Sequence, residues 1–370
     1  MNKTYTLPVF LVASVLHGQE ELNPFTPYFS YTGEAWNISD GGFETGGRAI
    51  GQIIGGFDWS PSLLGGGTIH AEVQNMHGND PSGFAGDANA LSNIAFDEGT
   101  RLFQAWYGRD TDWGSLKAGL IALDDDFMGS DYSSMFINAA FGPMPTQSFN
   151  TAAPIWPVGG LGFWGIFDLT EDSALQIGVY DGNAGDATTN DDGLENSLSD
   201  EDGAMLMVEY SRSTQTFGGT TTWKLGGYHN TGKEFENFSS GGLEEGLGAL
   251  YLVVDHAVSD SLGLWTRLGT TFDDDTSTVT GYYEGGAVLA SPFGRRQDDL
   301  LGIGYFYTEF GDAYLGANPG VTNSESAIEV TYQAPITENF YLQPDIQWIF
   351  DAHDSNTDVF VIGIRAGIEF

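Results

Sequence analysis

The segment Asp358–Phe370 reads DVFVIGIRAGIEF. One parity carries Phe360, Ile362, Ile364, Ala366, Ile368 and Phe370; the other carries Val359, Val361, Gly363, Arg365, Gly367 and Glu369. Successive side chains of a β-strand point to opposite faces, so the segment has one greasy face and one face of small and charged residues. A tilted strand crosses a bilayer in about 9–11 residues, which this segment supplies. It predicts a transmembrane strand ending on an aromatic residue, as the last strands of bacterial outer-membrane barrels do.

The same two-sided pattern recurs upstream. In FYLQPDIQWI, Phe340, Leu342, Pro344, Ile346 and Trp348 oppose Tyr341, Gln343, Asp345 and Gln347. Pro344 cannot donate to a ladder, so a local bulge is expected there. In LGLWTRLG, Leu262, Leu264 and Leu268 oppose Trp265 and Arg267; in AIEVTY, Ile328, Val330 and Tyr332 oppose Glu329 and Thr331; in TTTWKLGGY, Trp223 and Leu225 oppose Thr222, Lys224 and Tyr228. Alternation marks about sixteen strands, near 27–37, 46–58, 66–76, 100–109, 113–122, 160–168, 173–181, 203–212, 219–229, 247–257, 261–272, 276–289, 299–310, 325–334, 339–350 and 358–370. The expected fold is all-β: a transmembrane antiparallel barrel of about 16 strands, wide enough for an aqueous lumen. A soluble β-sandwich would show the same alternation. The strand number and the lack of a second apolar layer favour the barrel.

Connections alternate in length. DHAVSDSLGL, QAPITENFYL, DLTEDSAL and the Gly108–Gly114 segment read as tight turns, while 77–99, 182–202, 230–246, 290–298, 311–324 and 351–357 read as longer loops. The largest interruption runs from Leu123 to Gly159, and Asp131–Ala140 within it could form a short helix. An insertion this long in a barrel is usually functional, and it is expected to fold into the mouth and narrow the pore.

The chain has 370 residues, no cysteine, 52 glycines and a formal charge of −39. That charge argues against a nucleic-acid partner, and the 14% aromatic content argues against disorder. Absence of cysteine excludes disulfides and thiolate metal sites. No cofactor or metal is expected. The acidic runs, among them Asp124–Asp126, Asp191–Asp192 and Asp273–Asp275, read as water-facing rims. Divalent-cation bridging to an anionic lipid leaflet is a second use for them. A calcium-loop pattern fails around Gly193, because its first and last ligand positions are Thr188 and Ser199. Residues 1–18 read as a signal peptide, with Lys3 before the apolar run Leu7–Leu16, leaving 19–370 as one barrel domain. No other apolar run reaches the ~18 residues of a membrane helix.

Within the insertion, MFINAAFGPMP, PIWPVGGLGFW and LQIGVYDGN follow in order; later come SPFGRRQDDLLGIGYFYTEF and ESAIEVTYQAPITENFYLQPDIQWIF. These stretches, in this order, resemble the carbohydrate-selective porins of Gram-negative outer membranes, the OprB type. The similarity is firmest over Ser134–Asp181 and Ser291–Phe370. It departs at Arg296, where the family usually has Pro, and at Trp156, which replaces the usual Tyr before Pro. The resemblance implies a sixteen-stranded pore passing mono- and oligosaccharides by diffusion. It also implies partners: neutral sugars, outer-membrane lipid and lipopolysaccharide, and the barrel-assembly machinery acting through the strand that ends in Phe370.

A sugar path needs hydrogen-bonding groups and aromatic faces that hold ligand weakly enough to release it. Strand parity offers Trp265, Arg267, Glu329, Gln343, Asp345, Gln347 and Arg365 as lumen-facing candidates, with Arg101 and Lys117 added from the strands flanking the insertion. Trp106, Trp113, Trp164, Trp223 and Trp348 read instead as interfacial girdles. An acidic lumen is expected to disfavour anions. No serine is spaced to work with His229 or His256, so an enzyme is not expected. A secreted β-rich lectin or glycanase is the competing reading.

Overall fold

The computed structural model describes residues 25–61, 64–186, 189–294 and 296–370, so the expected signal peptide lies outside the described residues. The first barrel strands are β1 (Phe25–Asp40), β2 (Gly46–Trp59), β3 (Thr68–Gly78), β4 (Gly99–Thr111), β5 (Gly114–Ile121), β6 (Gly160–Thr170), β7 (Ser173–Asp181), β8 (Ala204–Thr216) and β9 (Gly219–Asn230). A small hairpin, β10 (Phe235–Asn237) and β11 (Gly242–Glu244), stands apart. The barrel resumes with β12 (Leu247–Ser259), β13 (Leu262–Thr271), β14 (Val279–Ala290), β15 (Leu300–Phe310), β16 (Ser324–Pro335), β17 (Phe340–Ala352) and β18 (Thr357–Glu369). Each strand pairs antiparallel with its neighbours, β9 pairs with β12, and β1 pairs with β18, so sixteen strands close on themselves. Each of the sixteen stretches of alternation forms one of these strands.

Outside, apolar side chains lie bare: Val208, Leu225, Leu250, Ile303, Ile362 and Ile364 are all exposed. Inside, Glu34, Gln74, Glu209, Glu284, Glu329 and Gln347 are buried. This is the reverse of a soluble sandwich, and it rules that alternative out: hydrocarbon must take the place of water on the outer face. At the closing seam Arg365 pairs in register with Glu34 and donates to it from Nε at 2.6 Å.

Three expectations need correction. No bulge forms at Pro344. Gln343, Pro344 and Asp345 stay in continuous register with Arg365, Ile364 and Gly363, and on the β16 side the ladder skips from Thr331–Asp345 to Ala334–Leu342 without slipping. The proline is accommodated by lost pairing rather than by an extra residue. Second, the 290–298 connection joins β14 to β15 at the rim that carries the two-residue turns of β4–β5, β6–β7, β8–β9 and β12–β13. Arg296 there donates from Nε to Asp299 at 2.7 Å, which holds the longer turn together. Third, Asp131–Ala140 is not a helix. It contains two separate turns of 3-10 geometry, Ser133–Met135 and Ala139–Phe141. Barrel side chains take the backbone groups that a helical ladder would need, as described next.

The 122–159 insertion lies inside the barrel, as expected. Phe127, Phe136, Ile137, Phe141 and Met144 form an apolar core with wall residues such as Trp265 and Phe306. The 79–98 connection, read only as a long loop, also turns inward. Glu325 accepts from the backbone of Ala88, Asn89 and His353. The two segments bond to each other through Asn93 N to Ile137 O and Ala139 N to Ala90 O.

Candidate functional site: the lining of the channel

Two opposite walls result. On the β12–β18 side, the parity-derived candidates face the interior but lie beneath the inserted segments. Arg267 donates to Glu284 from Nε and Nη2, at 2.6 and 2.7 Å, and to the carbonyls of Met128, Ala140 and Gly142. Trp265 donates to Glu284 at 2.9 Å, and its ring centroid is 4.8 Å from that of Phe136. Glu329 accepts the backbone N–H groups of Ile137 and Asn138 at 2.7 and 2.9 Å. Gln343 donates to the Met135 carbonyl, and Gln347 bridges Asn138 to the Leu91 carbonyl. Asp345 accepts from Gln347 at 3.2 Å. Arg365 reaches Asn93 as well as Glu34. Except for Asp345, which supports Gln347, these groups grip the two inserted segments rather than open solvent.

On the β1–β7 wall, Trp106, Lys117 and Trp164 retain partial exposure, while His70, Glu72, Gln74 and Gln104 are buried. Trp106 and Trp164, assigned from the sequence to the girdles, point inward; Trp113, Trp223 and Trp348 lie exposed on the outside. Lys117 lies between the two inward indoles, its Nζ 5.6 Å from the Trp106 ring and 5.4 Å from Trp164, and it pairs with Asp126 at 2.7 Å. A cation over indole faces is held by the ring quadrupole as well as by the carboxylate. Trp106 stacks on His70 at 4.7 Å. Tyr28 donates to Glu72, Gln74 donates to Glu72, and Trp156 of the insertion donates to Gln74. Gln104 donates to Asp125, which is exposed.

Arg101 and Gln104 both face inward although their numbers differ in parity. A register shift explains this: Glu72 pairs with Gln104 but Val73 pairs with Leu102, leaving Phe103 as an extra residue. A bulge of this kind re-aims every side chain on one side of it. Arg101 is 2% exposed, lies over the Phe96 ring at 4.6 Å and forms no ion pair among the described residues. Its Nη2 meets the Asp97 carbonyl at 3.4 Å, and its Nε and Nη1 have no partner.

The Asp124–Asp126 run thus lies at the channel rather than on an outer rim. Burial, with help from the neighbouring Asp125, pushes the Asp124 carboxyl up to about 8. Burial pushes Asp126 up to about 7 against the pull of Lys117. Both acids are neutral below these values and charged above them. Cation selectivity is therefore expected to rise between about pH 6 and 9, and Asp126→Asn to remove part of that rise. Reversal potentials in asymmetric KCl across this pH range check it; a flat profile would refute it.

With this geometry in hand, the comparisons decide the family. A profile described as carbohydrate-selective porin, OprB family, matches residues 57–370. The chain belongs to that family. Porin B of Pseudomonas aeruginosa is 27% identical over 230 residues, covering 55% of this chain. The match spans about half the length (49%) of that curated relative. Among solved structures, the high-pH form of Pseudomonas putida OprB superposes with a TM-score of 0.83 at 19% identity, over 94% of both chains. Its low-pH form gives 0.60 at 16% identity, over 94% of this chain and 93% of that one. The outer membrane channel DcaP of Acinetobacter baumannii gives 0.56 at 10%, over 94% and 97%. At these identities the superpositions speak for the fold, a sixteen-stranded porin barrel. Family and fold place the OprB-family chain in the Gram-negative outer membrane.

Proposed function

We propose that the protein is a passive, weakly selective channel for neutral mono- and oligosaccharides, with no catalytic role. The observation that carries this reading is the pair of inward indoles, Trp106 and Trp164, flanking Lys117 opposite the Asp124–Asp126 run. Indole faces match the apolar face of a pyranose, while carboxylates, amides and the ammonium exchange hydrogen bonds with its hydroxyls. Each contact is weak singly, which lets ligand leave as well as enter. Family membership supports the carbohydrate class.

The path along the β1–β7 wall includes Lys117, with Arg101 buried over the Phe96 ring. Trp265, Arg267, Glu329, Gln343 and Gln347 act on that path indirectly, by positioning the insertion; Arg365 does so through Asn93 of the 79–98 connection, and Asp345 by supporting Gln347. Outer-membrane lipid and lipopolysaccharide surround the barrel, and the assembly machinery would engage β18.

Liposome swelling with neutral sugars and with amino acids of similar size tests the reading. Sugars are expected to enter faster; equal rates for both classes would overturn the selectivity, and no swelling would overturn the channel. Replacing Trp106 and Trp164 together by alanine is expected to weaken sugar-dependent current block about fivefold or more, since an aromatic contact contributes roughly 1 kcal/mol. Unchanged block in a folded variant would remove these rings from the path.

A further inference from the structure

Outside the constriction, the long loops border a partly open cavity of about 380 Å³, in the size range of small-ligand sites. It lies between the end of the insertion, Phe149–Ala152, and the connections that follow β7, β9 and β13. Three phenyl rings line it. Phe149 packs edge-on against Phe310 at 6.2 Å, and Phe238 packs edge-on against Tyr314 at 5.4 Å, so both are fixed from behind; Phe235 is partly buried against the core. Four carboxylates line it too: Glu201, Asp202, Glu234 and Glu236. None of the four forms an ion pair among the described residues, and only Asp202 has a side-chain hydrogen bond, accepting from Ser199. Lys233 sits in the same stretch but is not part of the lining.

A further feature points to a ligand. Thr276 lines the cavity, is 5% exposed, and keeps a hydroxyl with no hydrogen-bond partner. A buried polar atom left without a partner is unfavourable, and an incoming hydroxyl or ammonium would relieve it. The carboxylates do not chelate: among the described residues no group of three or more His, Asp and Glu is arranged to hold a metal ion. They are spread around a space large enough for a ligand with several donors. Aromatic faces attract cations, and unpaired carboxylates accept from both ammonium and hydroxyl groups.

We propose that this cavity is an outer capture site for a protonated amino sugar of the hexosamine class, which it loads before transit through the constriction. The proposal rests on the carbohydrate-channel reading and extends it from neutral sugars to a cationic class. Phenyl rings contact the apolar ring face, the carboxylates take the ammonium, and Thr276 pairs with a ring hydroxyl.

Current fluctuations of the full-length protein in planar bilayers test it, with glucosamine, N-acetylglucosamine or glucose added on the long-loop side at a pH where glucosamine is protonated. Glucosamine is expected to half-block at about tenfold lower concentration than the two neutral sugars. Thr276→Val, which leaves charge untouched, and the double change Glu234→Gln with Glu236→Gln are each expected to erase most of that preference while glucose block stays as in the parent. Heat-modifiable gel mobility confirms that each variant folds. Equal block by all three sugars overturns the capture site, while the neutral-sugar block still upholds the channel. A preference lost with the carboxylates but kept in Thr276→Val assigns it to the diffuse acidity of the mouth and also overturns the site. Absence of block by any sugar overturns the carbohydrate reading, and this proposal with it.

Discussion

Replacing Arg267 by alanine is expected to raise single-channel conductance and make the open level noisy. The guanidinium sits at the centre of the insertion's attachment, joining Glu284 on β14 to three backbone carbonyls of the inserted segment. Arg267 is 1% exposed and Glu284 is fully buried. Truncation leaves an uncompensated carboxylate and three carbonyls without their donor, in a region that water enters poorly. Removing one partner of such a pair destabilises by about 3–5 kcal/mol. The barrel ladder does not depend on this contact, so the loss falls on the docked segment rather than on the wall. The variant should therefore insert and shift on gels like the parent while the plug leaves its seat. Arg267→Lys keeps the charge but not the planar fork, and should fall between the two. Conductance and noise equal to the parent's in a folded Arg267→Ala channel would show that the insertion is held by its apolar core alone.

Ile364→Arg is expected to have the other large effect, of a different kind. Ile364 is 43% exposed on the outer face, near the middle of β18, paired with Ala35 and Pro344. A guanidinium at that depth must be solvated by distorted lipid or by snorkelling, at about 2–4 kcal/mol near the midplane. The adjacent inward position already holds Arg365, which is buried and paired, so the same residue type should be tolerated on one face and rejected on the next. Denaturant titration of the folded barrel in lipid vesicles measures the difference. Equal midpoints for Ile364→Arg and the parent would contradict the assignment of this face to hydrocarbon.

Much of the barrel was readable because strand parity needs no knowledge of partners. Every inward candidate on β13, β16, β17 and β18 faces the interior, since period two survives wherever no residue is added. What parity could not show is what stands in front of a side chain. Arg267 and Glu329 are covered by the insertion, and contacts across 125 or more residues of sequence leave no local trace. The girdle assignment failed at Trp106 because the bulge at Phe103 shifts the frame between Arg101 and Gln104. It failed at Trp164 because the general enrichment of aromatics at membrane interfaces says nothing of a cross-strand partner, and this indole is matched to Lys117 on the neighbouring strand. The row His70, Glu72, Gln74 alternates with Ala71 and Val73 and would have marked an inward polar face on the wall where the lining lies, but it was not among the candidates. The inward turn of 79–98 had no comparable signal, because Glu325 holds it through the main chain of Ala88 and Asn89 and one amide side chain, that of Asn89, across more than 230 residues of sequence.

That last point extends to the whole attachment. Glu325, Glu329, Gln343, Gln347 and Arg267 all hold peptide N–H or C=O groups, which every residue type supplies in the same form, proline lacking only the N–H. The anchoring therefore tolerates replacement of the side chains that the inserted segments turn toward the water column. A lineage of such pores could exchange one nutrient for another by point changes on that free rim, with the mooring beneath it left untouched.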